Sequence, residues 1–322
     1  MKYPDHFTSA YLPTPVKPFS RFFKEIENYK IWLKRDDLTG IELSGNKVRK
    51  LDFLLKEAAD QGAEYIITCG GLQSNHCRTA AFYAAQLGMK SVLVLRGQPE
   101  EIPTGNYFMN MLLDTDIRFV TADEYQHADS IMEKTSEELP GRAYIIPEGG
   151  SNETGAWGYI KAFDEIQSQG EFDTIVTATG SGGTHCGLLL GKLLAKSSVE
   201  VISVNVCDDA EFFRTKIDSI MHKFCAKYGC SLYWTADDIK IVDGFTGEGY
   251  GIISEAETNI IRRLAAAEGI LIDPVYGAKA LIGFEEQLKK NSIPGEKILF
   301  IETGGIFGLF PLWKEFFQKH NI

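Results

Sequence analysis

Short apolar runs rich in Val and Ile recur along the chain and alternate with longer amphipathic or Ala-rich stretches. Residues 31–34, 65–69, 91–95, 117–120, 144–146, 174–178, 201–206 and 297–302 predict strands. Between them, segments such as 48–61, 75–87, 155–169, 184–196 and 255–268 predict helices. Strands that are apolar along their whole length, alternating with helices, indicate parallel sheets covered on both faces. The expected class is therefore α/β, and open sheets of this kind receive ligands at the carboxyl ends of their strands.

Glycine punctuates several of those strand ends: Gly70-Gly71, Gly149-Gly150, Gly180 to Gly183, and Gly304-Gly305. Simple loop closure does not need so many. No internal repeat, low-complexity tract or long polar linker interrupts the pattern, so any domains are expected to pack closely around a cleft. Residues 225–239 carry no clear period and read as an insertion or a lid.

Composition narrows the classes of function. The chain has 322 residues, 44% hydrophobic and 24% charged, which is ordinary globular composition. A chain of this length can bury a core without disulfides or metals. Lys plus Arg is 33 and Asp plus Glu is 44, giving a net charge of −11. An acidic surface repels phosphate backbones and argues against nucleic acid as a partner. It leaves room for a small anion, because a local site can oppose the global field. No leader-like or membrane-spanning apolar run is expected, and no metal. The six cysteines, with no C-x-x-C pair among them, read as reduced thiols in a cytoplasmic protein.

Five clusters can carry chemistry. Thr179-Gly180-Ser181-Gly182-Gly183-Thr184 joins a predicted strand to a predicted helix. Glycines let the backbone approach a ligand, and the first helix amides with the helix dipole favour an anion. The residues fit neither G-x-G-x-x-G, since His185 stands at the last position, nor a P-loop, since Gly187 to Gly191 is one residue short. A phosphate monoester suits the turn better than a nucleotide, although a plain Gly-rich turn explains the same residues.

Ser44-Gly45-Asn46-Lys47 opens another helix. A cation is disfavoured at a helix N-terminus, so Lys47 there suits a neutral amine or one bonded to a carbonyl carbon. A solvated lysine beside Arg49 and Lys50 is the plainer reading. Gly70-Gly71-Leu72-Gln73-Ser74-Asn75-His76 again sets caps at a helix start, either for capping alone or as a seat for a substrate carboxylate. His76 is a candidate base, though a lone His there is more often structural. Tyr250 and Tyr276, separated by 276 − 250 = 26 positions, can relay protons or simply pack. Thr303-Gly304-Gly305 ends the last predicted strand with a hydroxyl able to meet a flat ring edge-on.

In this order, the clusters resemble the fold type II pyridoxal-phosphate enzymes. The closer likeness is to the branch holding D-cysteine desulfhydrase and 1-aminocyclopropane-1-carboxylate deaminase. It spans nearly the whole chain, from Pro13-Thr14-Pro15 through Leu33-Lys34-Arg35-Asp36-Asp37 and Gly45-Asn46-Lys47 to Thr303-Gly304-Gly305. The combination of Gln73-Ser74-Asn75-His76 with a separate Gly-Asn-Lys is specific, whereas each motif alone is weak.

The resemblance implies pyridoxal 5′-phosphate as cofactor, held by Lys47 through a Schiff base, with Lys47 also moving the α-proton. It implies Asn75 at the cofactor's phenolic oxygen, with Asn46 also binding the cofactor. Thr179, Gly180, Ser181, Gly182, Gly183 and Thr184 would hold the phosphate. Ser74 would stand beside the substrate, and Tyr250 and Tyr276 would form an active-site pair. Deaminases of the branch carry a Glu after the second tyrosine, against the pyridine nitrogen. This chain has Gly277 there and Thr303 where desulfhydrases set a threonine against that nitrogen. A hydroxyl leaves the ring a weaker electron sink than a carboxylate does. Losing a thiolate asks less of the ring than opening a cyclopropane.

The expectation is thus elimination from a small amino acid, D-cysteine to pyruvate, sulfide and ammonia. The alternative is deamination of the cyclopropane acid to 2-oxobutyrate and ammonia, and a lower-ranked one is cofactor binding without turnover. The implied fold is tryptophan synthase β-like, with two twisted, mostly parallel sheets and the site in the interdomain cleft. A large domain of residues 1–45 and 155–322, a small domain of 46–154 and a homodimer complete it. Residues 306–310 are apolar and are expected to line the pocket.

Overall fold

The structure, a computed structural model, describes residues 1–249 and 251–317. Its strands are β1 Val16–Pro18, β2 Lys30–Arg35, β3 Tyr65–Gly71, β4 Lys90–Arg96, β5 Asp116–Val120, β6 Ala143–Ile145, β7 Thr174–Thr179, β8 Glu200–Asn205, β9 Lys240–Val242 and β10 Lys297–Glu302. Its α-helices are α1 Asn46–Asp60, α2 Asn75–Gln86, α3 Gly105–Met111, α4 Ala122–Tyr125, α5 Ala128–Glu138, α6 Trp157–Gln169, α7 Gly183–Ala195, α8 Ala210–Tyr228, α9 Glu255–Glu268, α10 Gly277–Lys289 and α11 Trp313–Phe317. They assemble into a six-stranded sheet of order β1-β2-β10-β7-β8-β9 and a four-stranded sheet of order β5-β4-β3-β6. Every pairing is parallel except β1 with β2. The two mostly parallel sheets expected from the sequence are present. The strands without a sequence signal, β1 and β9, are three residues each, too short to show a period.

Side-chain alternation explains why both faces are covered. Along β7, β8 and β10, Val176, Val204 and Phe300 enter a core with α9 and α10. Their neighbours Ile175, Val201 and Leu299 enter another with Tyr159 and Phe163 of α6 and Leu188 of α7. In the smaller sheet, Ile66 faces Leu51 and Leu54 of α1 and Tyr83 of α2, while Ile67 faces Met132 of α5.

Of the two readings of residues 225–239, insertion or lid, the structure removes the lid. The segment's first residues close α8, which buries Phe213, Ile217, Ile220, Met221 and Phe224 at helical spacing. Asp209 caps its start through the Phe212 amide, and Gly229 at φ 65° ends it. The rest packs down: Leu232 and Trp234 lie on the same core, and the Trp234 indole donates to Asp218 at 2.8 Å.

A buried ionic cluster ties α1 to the larger sheet. Arg49 donates to both Asp36 oxygens at 2.8 and 2.9 Å and to Glu165 Oε2 at 3.0 Å. Tyr159 donates to Asp36 at 2.6 Å, and Lys34 pairs with Glu165. This cluster uses much of the Lys34-Arg35-Asp36-Asp37 motif and orients the helix that begins one residue before Lys47. No helix among the described residues is long and apolar enough to cross a membrane.

Candidate active site

The carboxyl ends of β3, β7 and β10 converge on the N-termini of α1, α2 and α7 around a single cavity. Asn46, Lys47, Ser74, Asn75, Thr179, Gly180, Ser181, Gly182, Thr184, Tyr276 and Thr303 all line this one cavity. Gly183 stands just behind the wall: a Cβ there would lie 2.5 Å from Ser151 Oγ and 2.8 Å from Lys50 Nζ. Tyr250 lies outside the described residues. Of residues 306–310, none lines this cavity, but Gly308 lines an adjoining pocket that shares Tyr276 with it. Phe307 instead stacks on Arg78, with 5.0 Å from the guanidinium to its ring.

Lys47 is positioned by the seat of α1. Gly45, at φ 107°, passes so close to the β10 turn that a Cβ would lie 2.8 Å from the Thr303 carbonyl. The next amide, of Asn46, donates to that carbonyl at 2.9 Å. Asn46 Nδ2 donates to Thr184 Oγ1 at 3.0 Å, joining the start of α1 to that of α7. Lys47 is half-buried at the cavity wall, and desolvation there pushes its ammonium down to about 8, with the Glu148 carboxylate opposing the shift. A solvated patch of cations is thus not what stands here. Arg49 is spent in the ionic cluster, and Lys50 is 1% exposed.

The Gly-rich turn has the form of an anion cup. Gly182 precedes α7 at φ 82° with no side-chain cap, so the first amides of a thirteen-residue helix point outward without intrahelical partners. Ser181 shares a hydrogen bond with Ser151 at 2.8 Å. Thr179 Oγ1 is buried with no partner among the described residues. Lys50 Nζ donates to the Gly149 carbonyl at 3.1 Å and to Ser151 at 3.3 Å, beside Gly183. Burial, aided by the Lys47 charge, holds the Lys50 ammonium well below the usual lysine range. Lys50 went unrecognised in the sequence. Its signal was the three-residue spacing from Lys47, which puts both on one helix face. Glu148 was missed as well; it lines the cavity and accepts from the Tyr125 hydroxyl at 2.7 Å.

Ser74 caps α2 by accepting from the Cys77 amide at 3.2 Å, which leaves its O–H to donate. His76 lines the cavity but is engaged behind it. Thr68 gives its proton to the Ile146 carbonyl at 2.8 Å, so His76 Nε2 donates to Thr68 at 2.9 Å and Nδ1 carries no proton. Burial and the two lysine charges hold its imidazolium well below the usual range, which makes it a weak base. Tyr276 packs on Gly180, where a Cβ would lie 2.7 Å from its ring. Gly277 adds nothing to the cavity wall, and a Cβ there would meet Ile272 at 2.3 Å.

Comparison with known proteins agrees in kind. The family model described as pyridoxal-phosphate dependent enzyme matches residues 7–304. A putative 1-aminocyclopropane-1-carboxylate deaminase of Thermotoga maritima is 42% identical over 92% of this chain and 95% of that protein. A bifunctional D-cysteine desulfhydrase/1-aminocyclopropane-1-carboxylate deaminase of Arabidopsis thaliana is 38% identical over 95% of this chain and 80% of that one. The crystal structure of an ACC deaminase homologue superposes with a TM-score of 0.91 at 34% identity, covering 98% of this chain and 96% of that one.

Proposed function

This chain belongs to the pyridoxal-phosphate dependent enzyme family, and on that premise we propose that it is a lyase eliminating a β-substituent from a small amino acid, D-cysteine foremost. The products would be pyruvate, sulfide and ammonia, with one water consumed.

The cavity fits the cofactor. An uncapped helix N-terminus with Lys50, Ser181 and Thr184 beside it suits a dianionic phosphate, and the partnerless Thr179 hydroxyl adds a donor. Lys47, lowered to about 8, supplies an amine that is neutral often enough to bond an aldehyde carbon. Thr303, also in the cavity wall, would serve the ring nitrogen. When bound, pyridoxal phosphate supplies an electron sink for charge developing at the substrate's α-carbon.

The side chains then divide the work. Lys47 Nζ would take the substrate's α-proton. The Ser74 hydroxyl and the α2 amides receive the substrate carboxylate. Tyr276, with Tyr250 as its partner phenol, hands a proton to the leaving group. The observation that carries elimination is the pairing of Thr303, a hydroxyl in the cavity wall, with Gly277, which offers no carboxylate there. Ring-opening deamination is the second reading, favoured by the names of the Thermotoga and Arabidopsis relatives.

We further propose the domain division 1–45 with 155–322 against 46–154, a cytoplasmic location and a homodimer. The dimer reading is supported by Phe108, Met111, Leu112, Phe310 and Trp313, which stay exposed around α3 and the turn before α11; sedimentation at two concentrations tests it.

The deciding experiment offers D-cysteine, L-cysteine and the cyclopropane acid separately to the cofactor-loaded protein and identifies products. Sulfide with pyruvate, chiefly from D-cysteine, is expected. 2-Oxobutyrate from the cyclopropane acid as the dominant product would replace the first reading with the second.

A further inference from the structure

Behind Asn75 runs a chain of buried hydrogen bonds that the roles above do not use. Asn75 Oδ1 accepts from Asn106 Nδ2 at 2.8 Å, and Asn75 Nδ2 donates to Asp273 Oδ2 at 3.0 Å. Asn106 and Asp273 are 0% and 2% exposed. Asn106 cannot turn over. Its Oδ1 accepts from Arg78 Nε at 3.1 Å and its Nδ2 also donates to the Gln73 carbonyl at 2.9 Å. A flip would set N–H against N–H and oxygen against oxygen. Arg78 is pinned in turn by the Ser44 carbonyl at 3.0 Å and the Glu42 carbonyl.

The orientation therefore propagates. Asn106 presents a donor, so Asn75 must present its oxygen to it. Asp273, an acceptor, takes one of the two Asn75 N–H groups. Only the second N–H remains, and Asn75 lines the cavity. Asp273 Oδ1 meanwhile accepts from the Val275 amide at 2.8 Å and from the Tyr276 amide, so one carboxylate sets both Asn75 and the tyrosine loop. Gly305 roofs the pair: a Cβ there would lie 2.3 Å from Asp273 Oδ2 and 2.5 Å from Asn75 Nδ2.

We propose that Asn106 and Asp273 are positioning residues that lock the Asn75 carboxamide as a hydrogen-bond donor into the cavity, and so favour the form of the bound cofactor whose phenolic oxygen is deprotonated. This rests on the reading that Asn75 faces that oxygen. The lock crosses between the two halves of the molecule, because Asn75 and Asn106 come from helices packed on the smaller sheet's side and Asp273 precedes α10. Loss of the donor shifts the cofactor toward its phenol form, which absorbs at shorter wavelength.

The test is a spectral mutant cycle on the holoenzyme. N106D keeps an acceptor for Arg78 but turns a donor into an acceptor. D273N keeps an acceptor for the loop amides but sets N–H against N–H. Each should move the ratio of long- to short-wavelength bands by roughly tenfold, equivalent to about 1.4 kcal/mol, the scale of one hydrogen bond. In an N75A background, neither should move the ratio further, whereas a merely structural role would still do so. If N75A alone leaves the ratio unchanged, the placement of Asn75 at the phenolic oxygen fails. If N75A shifts it while N106D and D273N do not, the lock is overturned. A wild-type measurement covers the case of variants that do not fold. The Asn75 side-chain amide protons should exchange with solvent far more slowly than those of exposed Asn28, and equal exchange would overturn the lock as well.

Discussion

Two buried clusters of charge lie within a few residues of each other on α1, and they behave in opposite ways. Around Arg49, nearly every charge meets its complement. The guanidinium is held above its usual range, and the Asp36 and Glu165 carboxyls are held below theirs by Arg49 and Lys34, against the opposing effect of burial. Lys34 alone moves the other way, because desolvation outweighs its partners. Around Lys47, burial wins throughout. The ammonium falls to about 8, Lys50 falls further, and the Asp273 carboxyl rises to about 6. The Glu302 carboxyl rises well above its range, and its Oε2 has no partner among the described residues. A cluster that satisfies itself is scaffold. A cluster left short of counter-charge is waiting for a ligand that supplies it.

Four measurements break or sharpen that contrast. K47A should reduce turnover by roughly a thousandfold or more, since it removes the proposed carbonyl-binding amine and proton carrier. Its unfolding free energy in the apo-protein should hold or rise, because a half-buried, poorly paired cation has gone; substantial turnover would break the assignment. R49M should do the reverse. It strands two buried carboxylates and should cost about 3–5 kcal/mol in denaturant unfolding, and a loss below about 1 kcal/mol would show that the cluster is not scaffold.

K50M should weaken cofactor binding by about tenfold, the scale of one charge-assisted hydrogen bond, with little change in apo-protein stability. Fluorescence titration with pyridoxal phosphate reads it, and unchanged affinity would remove Lys50 from the phosphate site. The smallest effect is the pH dependence of cofactor capture by the apo-protein. Only the neutral Lys47 amine reacts, and its folded-state value is lowered from 10.5 to about 8. Capture should therefore rise about fivefold from pH 7 to pH 8 and level off above about pH 9. A continuing rise of about tenfold per unit toward pH 10 would mean an ordinary lysine.

Much of the scaffold was legible in the chain. Residues 65–69 and 174–178 read as strands because apolar side chains there fill cores on both faces of a sheet. Residues 75–87 read as a helix because Ser74 caps it. The site was legible in its backbone parts, since Gly45 and Gly182 adopt φ values that side chains resist. Its electrostatics were not. Lys47, Arg49 and Lys50 look alike in sequence, yet one lines the cavity, one joins the ionic cluster and one backs the anion cup. Residues 225–239 misled because α8 spends its last turn inside them and the remainder packs without a period.

Side-chain periodicity and glycine placement act over a few residues, so the chain by itself determined the order of strands and helices and the turns able to take an anion. Protonation, partner choice and amide orientation depend on what is brought near and on how completely water is excluded. Asp273 reaches Asn75 across 198 positions, and Glu165 reaches Arg49 across 116. Only the tertiary structure, by closing those distances and removing the solvent, decided which charges would be satisfied and which would be left for a ligand.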